Sequence, residues 1–225
     1  MKIEIKSCLE GAKEAEGLTV IIDVLRASNT IIATLNKGAN YIIPVEDLAD
    51  AYRLKKINPE YLLFGERNGL TPEGFDCGNS PAEVSNLDLK DKVILFTTSA
   101  GTKAIINAEN ADEIIIASYA NAEAVANYIK NKNPDKVTLV AIGLDAYKKA
   151  EEDELCAQYI KELLEGRKPN YESMKKIILK SDGANRLRRL NQLDDLKFCT
   201  GRLNFYDIVP KVVEKDGLLI IRLYS

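Results

Sequence analysis

The sequence predicts an α/β fold: a three-layer α/β/α arrangement around a mostly parallel, mixed sheet that a C-terminal antiparallel hairpin completes. Three observations predict it. Short apolar runs alternate with amphipathic stretches over the first two thirds of the chain, the pattern of strands joined by crossover helices. The tail then changes to charged helical segments followed by two apolar runs that flank Asp216-Gly217, a strong hairpin signal. Finally, the run Val20 to Ile22 ends on Asp23 and passes directly into Arg26, Ser28, Asn29 and Thr30, as happens where an α/β sheet presents its ligand-binding edge.

The elements follow in order. Leu18 to Asp23, Tyr41 to Val45, Tyr61 to Gly65, Val93 to Thr98, Glu113 to Ala117 and Val137 to Gly143 are short apolar runs that read as strands. Between them Ala27 to Lys37, Leu48 to Ile57, Thr102 to Ala108, Ala122 to Asn131 and Asp153 to Leu164 carry apolar stripes at three- and four-residue spacing, which predicts helices. After Gly166-Arg167-Lys168-Pro169, two charged helices are predicted around Tyr171 to Lys180 and Asn185 to Gln192. The hairpin of Val212 to Ile221, together with an N-terminal strand over Lys2 to Lys6, is expected to add antiparallel strands. No internal repeat or flexible linker is visible, so residues 1–225 are expected to form a single domain, or two close-packed lobes with the second starting near residue 137.

Composition narrows the function. The chain is 46% hydrophobic and 29% charged, enough to bury a sizeable core, and its net charge of -3 argues against coating nucleic acid or an anionic membrane. No apolar run approaches the length of a membrane span. Four cysteines without zinc-type spacing, and no apolar signal stretch, make a reducing cytoplasmic location the expectation. A homodimer or larger assembly is the default for a small enzyme of this kind.

The absence of histidine removes imidazole as base, nucleophile or metal ligand, and with it serine–histidine and cysteine–histidine hydrolysis and the common zinc hydrolases. No cysteine has an arginine six positions on, which disfavours a thiolate phosphatase. Carboxylates, hydroxyls and a few well-placed arginines remain, a set suited to Mg²⁺ and to phosphoesters.

Five clusters carry this reading, each beside a plainer one. Asp23 can hold Mg²⁺ or attack phosphorus while Arg26 forks onto phosphate oxygens; the plainer reading is a helix cap with an ion pair. Glu66 and Arg67, between Gly65 and Gly69, offer a second carboxylate and guanidinium, or an ordinary polar turn. In Gly74 to Glu83, with Asp76, Gly78 and Asn79, a helix opens at Pro81 under a Ser80–Glu83 capping box, a start that would also attract an anion. Thr97, Thr98, Ser99, Gly101 and Thr102 form a hydroxyl-rich turn into a helix, equally a phosphate cradle or a structural cap. Glu151 to Glu154, including Glu152 and Asp153, are ordinary complements of a helix dipole, yet they follow a strand's C-terminal end.

IIDVLRASNTI, FGERNGLTPEGFDCGNSP, LFTTSAGTKAI and EEDELCA, in that order, resemble the 2-phosphosulfolactate phosphatase family of coenzyme M biosynthesis over most of the chain. The resemblance implies a Mg²⁺-dependent hydrolase that converts (R)-2-phospho-3-sulfolactate to 3-sulfolactate and inorganic phosphate. Asp23, Arg26, Glu66 and Asp76 fall on the family's blocks as expected catalytic residues. Ser28, Arg67, Asn79, Thr97, Thr98, Ser99, Gly101 and Thr102 are the expected substrate contacts, and Asp23, Glu152 and Asp153 the expected metal ligands. Asn29, Asn68 and Ser99-Ala100 depart from the usual residues without removing a carboxylate or an arginine.

The substrate is then a small anionic phosphoester, with Arg67 or another cation in the cleft holding its carboxylate or sulfonate. The attacking atom is either Asp23 or a water. A haloacid-dehalogenase-type enzyme would want a second Asp two positions after the first, where Leu25 stands. Two further activities suit the same residues. One is a phosphatase of other phosphorylated 2-hydroxy acids, and the other is a phosphate- or sulfonate-binding protein without turnover, which would gain nothing from so many carboxylates.

Overall fold

The computed structural model describes residues 1–224. Its strands are β1 (Lys2–Ser7), β2 (Gly17–Ile22), β3 (Tyr41–Pro44), β4 (Leu62–Gly65), β5 (Val93–Thr97), β6 (Ala111–Ala117), β7 (Lys136–Ala141), β8 (Pro210–Lys215) and β9 (Leu218–Leu223). The helices are α1 (Cys8–Lys13), α2 (Ala27–Asn36), α3 (Leu48–Ile57), α4 (Pro81–Val84), α5 (Gly101–Asn107), α6 (Ala122–Lys132), α7 (Glu151–Leu164), α8 (Tyr171–Ile178), α9 (Asp182–Arg189) and α10 (Leu193–Gly201). This is the α/β architecture expected, with helices on both faces of a mixed sheet. None of the described helices is long and apolar enough to cross a membrane.

The nine strands form one sheet in the order β1-β7-β2-β6-β8-β9-β3-β5-β4. The hairpin β8–β9, turned by Asp216 and Gly217 at φ 52 and 76, is not an edge appendage. It pairs antiparallel with β6 on one side and β3 on the other, so it joins two all-parallel groups. The expected pairing of the N-terminal strand is corrected: β1 runs parallel to β7, from Lys2 opposite Lys136 to Ser7 opposite Ala141. Both outer edges of the hairpin are occupied by β6 and β3, leaving no place there for β1.

Three successive antiparallel pairings separate the two groups, so β3-β5-β4 runs opposite to β1-β7-β2-β6. On a flat sheet their C-terminal edges would lie at opposite ends. Right-handed twist of roughly 20–25° per strand, accumulated over the steps from β2 to β5, turns the two groups toward each other. A shared core records the closure: Ile21, Ile116 and Val140 of one group and Ile42, Phe64, Ile94 and Phe96 of the other meet around α2 and α5, through Ile31, Ile32, Ala104 and Ile105. On the outer faces, α6 and α7 cover Val20, Ile22, Ile115 and Leu139, while α3 covers Ile43, Leu63 and Leu95.

Helix starts follow local chemistry. Pro81 opens α4 with Ser80 Oγ accepting the Glu83 N–H at 3.1 Å, one half of the expected capping box. The helix expected from Asn185 begins earlier, at Asp182, because Ser181 Oγ caps it through the Ala184 N–H at 3.2 Å. Helices α1 and α10 are additions that the apolar periodicity of the sequence does not announce.

Candidate active site

Asp23 leaves the end of β2 and is 8% exposed. Its Oδ1 accepts the Ala27 N–H at 3.2 Å, tying it to the start of α2. Ser28 fixes the backbone beneath: the Asp23 N–H donates to Ser28 Oγ and the Ser28 N–H to the Asp23 carbonyl, both at 2.9 Å. Ser28, expected to touch substrate, is thus buried and committed to holding Asp23. From the other parallel group, Gly101 at the start of α5 comes so close that a Cβ there would lie 3.0 Å from Asp23 Oδ2 and 2.8 Å from Ala27 Cβ.

Glu66, just past β4, enters the same cleft. Its Oε1 accepts the Ser99 N–H at 2.7 Å and its Oε2 accepts the Gly69 N–H at 2.6 Å and the Ser99 hydroxyl at 3.2 Å. One carboxylate therefore shapes the turns after β4 and β5 together. Gly69, at φ 82, packs against the end of α9, where a Cβ would fall 2.5 Å from Leu190 Cδ1.

Burial pushes the Asp23 carboxyl from 3.8 up to about 7 against the pull of the Ala27 N–H, with Glu66 and Glu152 adding to the rise and Arg26 opposing it. Burial likewise raises Glu152, and raises Asp153 well above the ordinary range, with the charges of Asp23 and Glu152 contributing at Asp153. Crowded acids of this kind favour a bound cation. Among the described residues, however, no three Asp, Glu, Cys or His side chains are arranged to hold a metal ion. The expected triad of Asp23, Glu152 and Asp153 is not assembled: Asp153 commits one oxygen to the Val24 N–H at 2.7 Å and the other to the Gly143 N–H at 2.8 Å. Mg²⁺ rarely needs an all-protein cage, since one or two carboxylates, waters and substrate oxygens complete its shell. Asp23 fits that role, and Glu152 keeps a buried Oε2 with no hydrogen-bond partner among the described residues, an acceptor such an ion could use.

Three arginines surround the cleft in different roles. Arg26 is sealed at 4% exposure, its Nη1 2.7 Å from Asp195 Oδ2 on α10 and its Nη2 3.3 Å from the Gly69 carbonyl. The residue lines the cleft, and a guanidinium has five N–H donors, more than these two contacts use. Arg67, expected to hold the substrate's second anion, is not part of the cleft lining. Its guanidinium donates to the carbonyls of Glu66 at 2.7 Å and Glu46 at 3.0 Å and to Thr97 Oγ1 at 2.7 Å, bracing the loops from behind. Arg186 of α9, which the sequence did not single out, lines the cleft instead and pairs with Asp145 at 3.0 Å. Removing one partner of a buried pair costs about 3–5 kcal/mol, whereas a half-exposed pair is worth about 0–1 kcal/mol. Arg26 is therefore fixed, and Arg186 is free to change partner.

Asp76 is corrected: it lies outside the cleft. Strand β4 is a sheet edge, and Asp76 covers it, accepting the Leu63 N–H on Oδ2 at 2.8 Å while its own N–H donates to the Leu63 carbonyl at 2.8 Å. The expected phosphate cradle is also reduced. Thr97 is taken by Arg67, and Thr98 and Thr102 bond each other reciprocally at 3.1 and 3.2 Å, leaving Ser99 at the cleft. Asn79 lines the cleft, 5% exposed and with no partner for its Oδ1 among the described residues. It borders both the cavity of about 50 Å³ at Asp23 and an adjoining one of about 240 Å³ toward Ser80 and Gln192.

The brought-together set is thus Asp23, Arg26, Glu66, Asn79 and Ser99, backed by Glu152 and Asp153 and completed by Arg186 and Asp195. Only Arg26, without an acid on its own helix to pair with, hinted at Asp195. The chain is similar to known proteins over nearly its whole length. Residues 5–215 match the family described as 2-phosphosulpholactate phosphatase. A probable 2-phosphosulfolactate phosphatase of Carboxydothermus hydrogenoformans is 36% identical, covering 98% of this chain and 97% of its own. Proteins with the same description from Caldicellulosiruptor saccharolyticus and Thermoplasma volcanium are 36% and 32% identical, covering 89% and 91% of this chain and 92% and 94% of theirs. The chain belongs to the 2-phosphosulfolactate phosphatase family.

Proposed function

We propose that this protein is a Mg²⁺-dependent phosphatase that hydrolyses (R)-2-phospho-3-sulfolactate to 3-sulfolactate and inorganic phosphate, in the cytoplasm and within coenzyme M biosynthesis. The observation that carries the reading is the crowding of Asp23 against Glu66 and Glu152 beside Arg26, in a chain without histidine. Left bare, those acids would repel a phosphoester, which disfavours a simple anion-binding protein. A divalent cation, when bound, supplies charge neutralisation of the phosphoryl oxygens.

The chain's own residues do the rest. Arg26, held rigid by Asp195, directs its unused N–H groups at phosphoryl oxygens. Glu66 holds the turns at Gly69 and Ser99 in place through three hydrogen bonds. Asp23 presents Oδ2 toward the phosphorus, either to form an acyl-phosphate or to orient an attacking water; trapping of labelled phosphate on Asp23 in the quenched protein marks the first, and its absence during turnover the second. Four free thiols among the described residues suit a reducing compartment.

Phosphate release from synthetic 2-phosphosulfolactate, with and without Mg²⁺, tests the reading. Turnover that needs the ion supports it; no release under either condition refutes it.

A further inference from the structure

We propose that Arg186 is the specificity-determining residue that receives the substrate's second anionic group, exchanging Asp145 for it. The inference rests on the phosphatase reading and names the ligand chemistry of the cleft that Arg186 shares with Asp23: a carboxylate or sulfonate borne on the same small molecule as the phosphate.

Three observations lead there. First, charge: Arg26 is already neutralised by Asp195, while Asp23 and Glu66 leave the cleft acidic, so Arg186 is the cation in its lining without a buried partner. Second, availability: the Arg186 side chain is 27% exposed and its partner Asp145 59% exposed, so Asp145 can return to water when the guanidinium turns to a ligand. A guanidinium fork can address two oxygens of a carboxylate or sulfonate at once. Third, construction: Asp145 and Ala146 both occupy the left-handed region, at φ 53 and 70, in a loop closed by the Leu144 N–H to the Lys148 carbonyl at 2.7 Å. Two consecutive strained residues without glycine persist where a loop must hold a side chain in a set position. Beside Arg186, Gly69 offers bare backbone, where a Cβ would stand 3.6 Å from Arg186 Nε.

The test uses the full chain with R186Q, R186K and D145N, and two esters: 2-phosphosulfolactate and a phosphomonoester without a second acid, phenyl phosphate. For R186Q we expect kcat/KM on the two-acid ester to fall about 10- to 100-fold, mainly through KM, with little change on phenyl phosphate. R186K should recover part of the loss, and D145N should lower KM for the two-acid ester alone. Equal losses on both esters, or none on either, would overturn the proposal. Should the wild type release no phosphate from 2-phosphosulfolactate, the phosphatase reading falls, and calorimetric titration with 3-sulfolactate and with inorganic phosphate decides the role of Arg186 by itself. The same titration stands in if phenyl phosphate is not turned over. Loss of 3-sulfolactate affinity in R186Q with phosphate affinity kept supports the role; unchanged 3-sulfolactate affinity, or equal loss of both, overturns it.

Discussion

Arg26 Nη1 lies 2.7 Å from Asp195 Oδ2, and the two side chains are 4% and 3% exposed, although they stand at opposite ends of the chain. The other oxygen of Asp195 accepts the Ser80 hydroxyl at 2.6 Å and the Ala82 N–H at 3.2 Å. One carboxylate thereby fastens α10 to the starts of both α2 and α4. D195A would strand a buried guanidinium and should cost about 3–5 kcal/mol in urea unfolding. Replacing the pair as R26M/D195L should recover most of that stability while leaving the protein without turnover. A D195A protein as stable as the wild type would contradict the assignment.

Gly101 and Gly201 make a matched comparison. A Cβ at Gly101 would sit 2.8 Å from Ala27 Cβ and 3.0 Å from Asp23 Oδ2, whereas at Gly201 it would meet nothing within 4 Å. G101A should therefore push α5 away from Asp23 and lower kcat about 100-fold, as displacements near 1 Å do. G201A, at the end of α10, should stabilise by about 0.5–1 kcal/mol and leave kcat unchanged. Steady-state kinetics and thermal unfolding of the two variants check both signs.

The raised acids dictate how stability depends on pH. Asp23 titrates near 7 in the folded protein against 3.8 as its ordinary value, and Glu152 and Asp153 are raised likewise. A raised carboxyl contributes stability that is present below its unfolded pKa and is lost as pH rises through the folded one. Without metal, unfolding free energy should fall between pH 5 and 8, by about 1.4 kcal/mol for each tenfold difference in proton affinity between the folded and unfolded chain. The lowered surface acids Glu4, Glu16 and Asp182 act in the opposite sense, but they finish titrating below that window. Mg²⁺ should restore stability, and by more at pH 8 than at pH 5, because its ligands must be deprotonated. Urea midpoints at the two pH values, with and without the ion, measure this.

Strand-end chemistry was legible in the sequence, and the cleft's roof was not. Asp23, Glu66 and Ser99 follow strands β2, β4 and β5 closely, so period and position announce them. Asp195 and Arg186 sit in short helices whose charged residues read as solvent-facing, and nothing local marks which of them turns inward. Asp76 misled because a motif position says nothing of edges: only the pairing of β4 reveals an exposed ladder that its carboxylate caps. Likewise the hairpin was recognisable from Asp216-Gly217, but its place between two opposed parallel groups depends on strand order, which no local pattern carries.

Asp23 is the group that meets the phosphoryl centre in the proposed reaction, and every other role in the cleft depends on it. The most direct measurement is phosphate release from 2-phosphosulfolactate by D23N at saturating Mg²⁺, paired with its metal-free unfolding at pH 8. We predict turnover reduced by about 10²–10⁴-fold in a protein more stable than the wild type, because the substitution removes a buried charge from a crowd of acids. Near-normal turnover would contradict that role for Asp23.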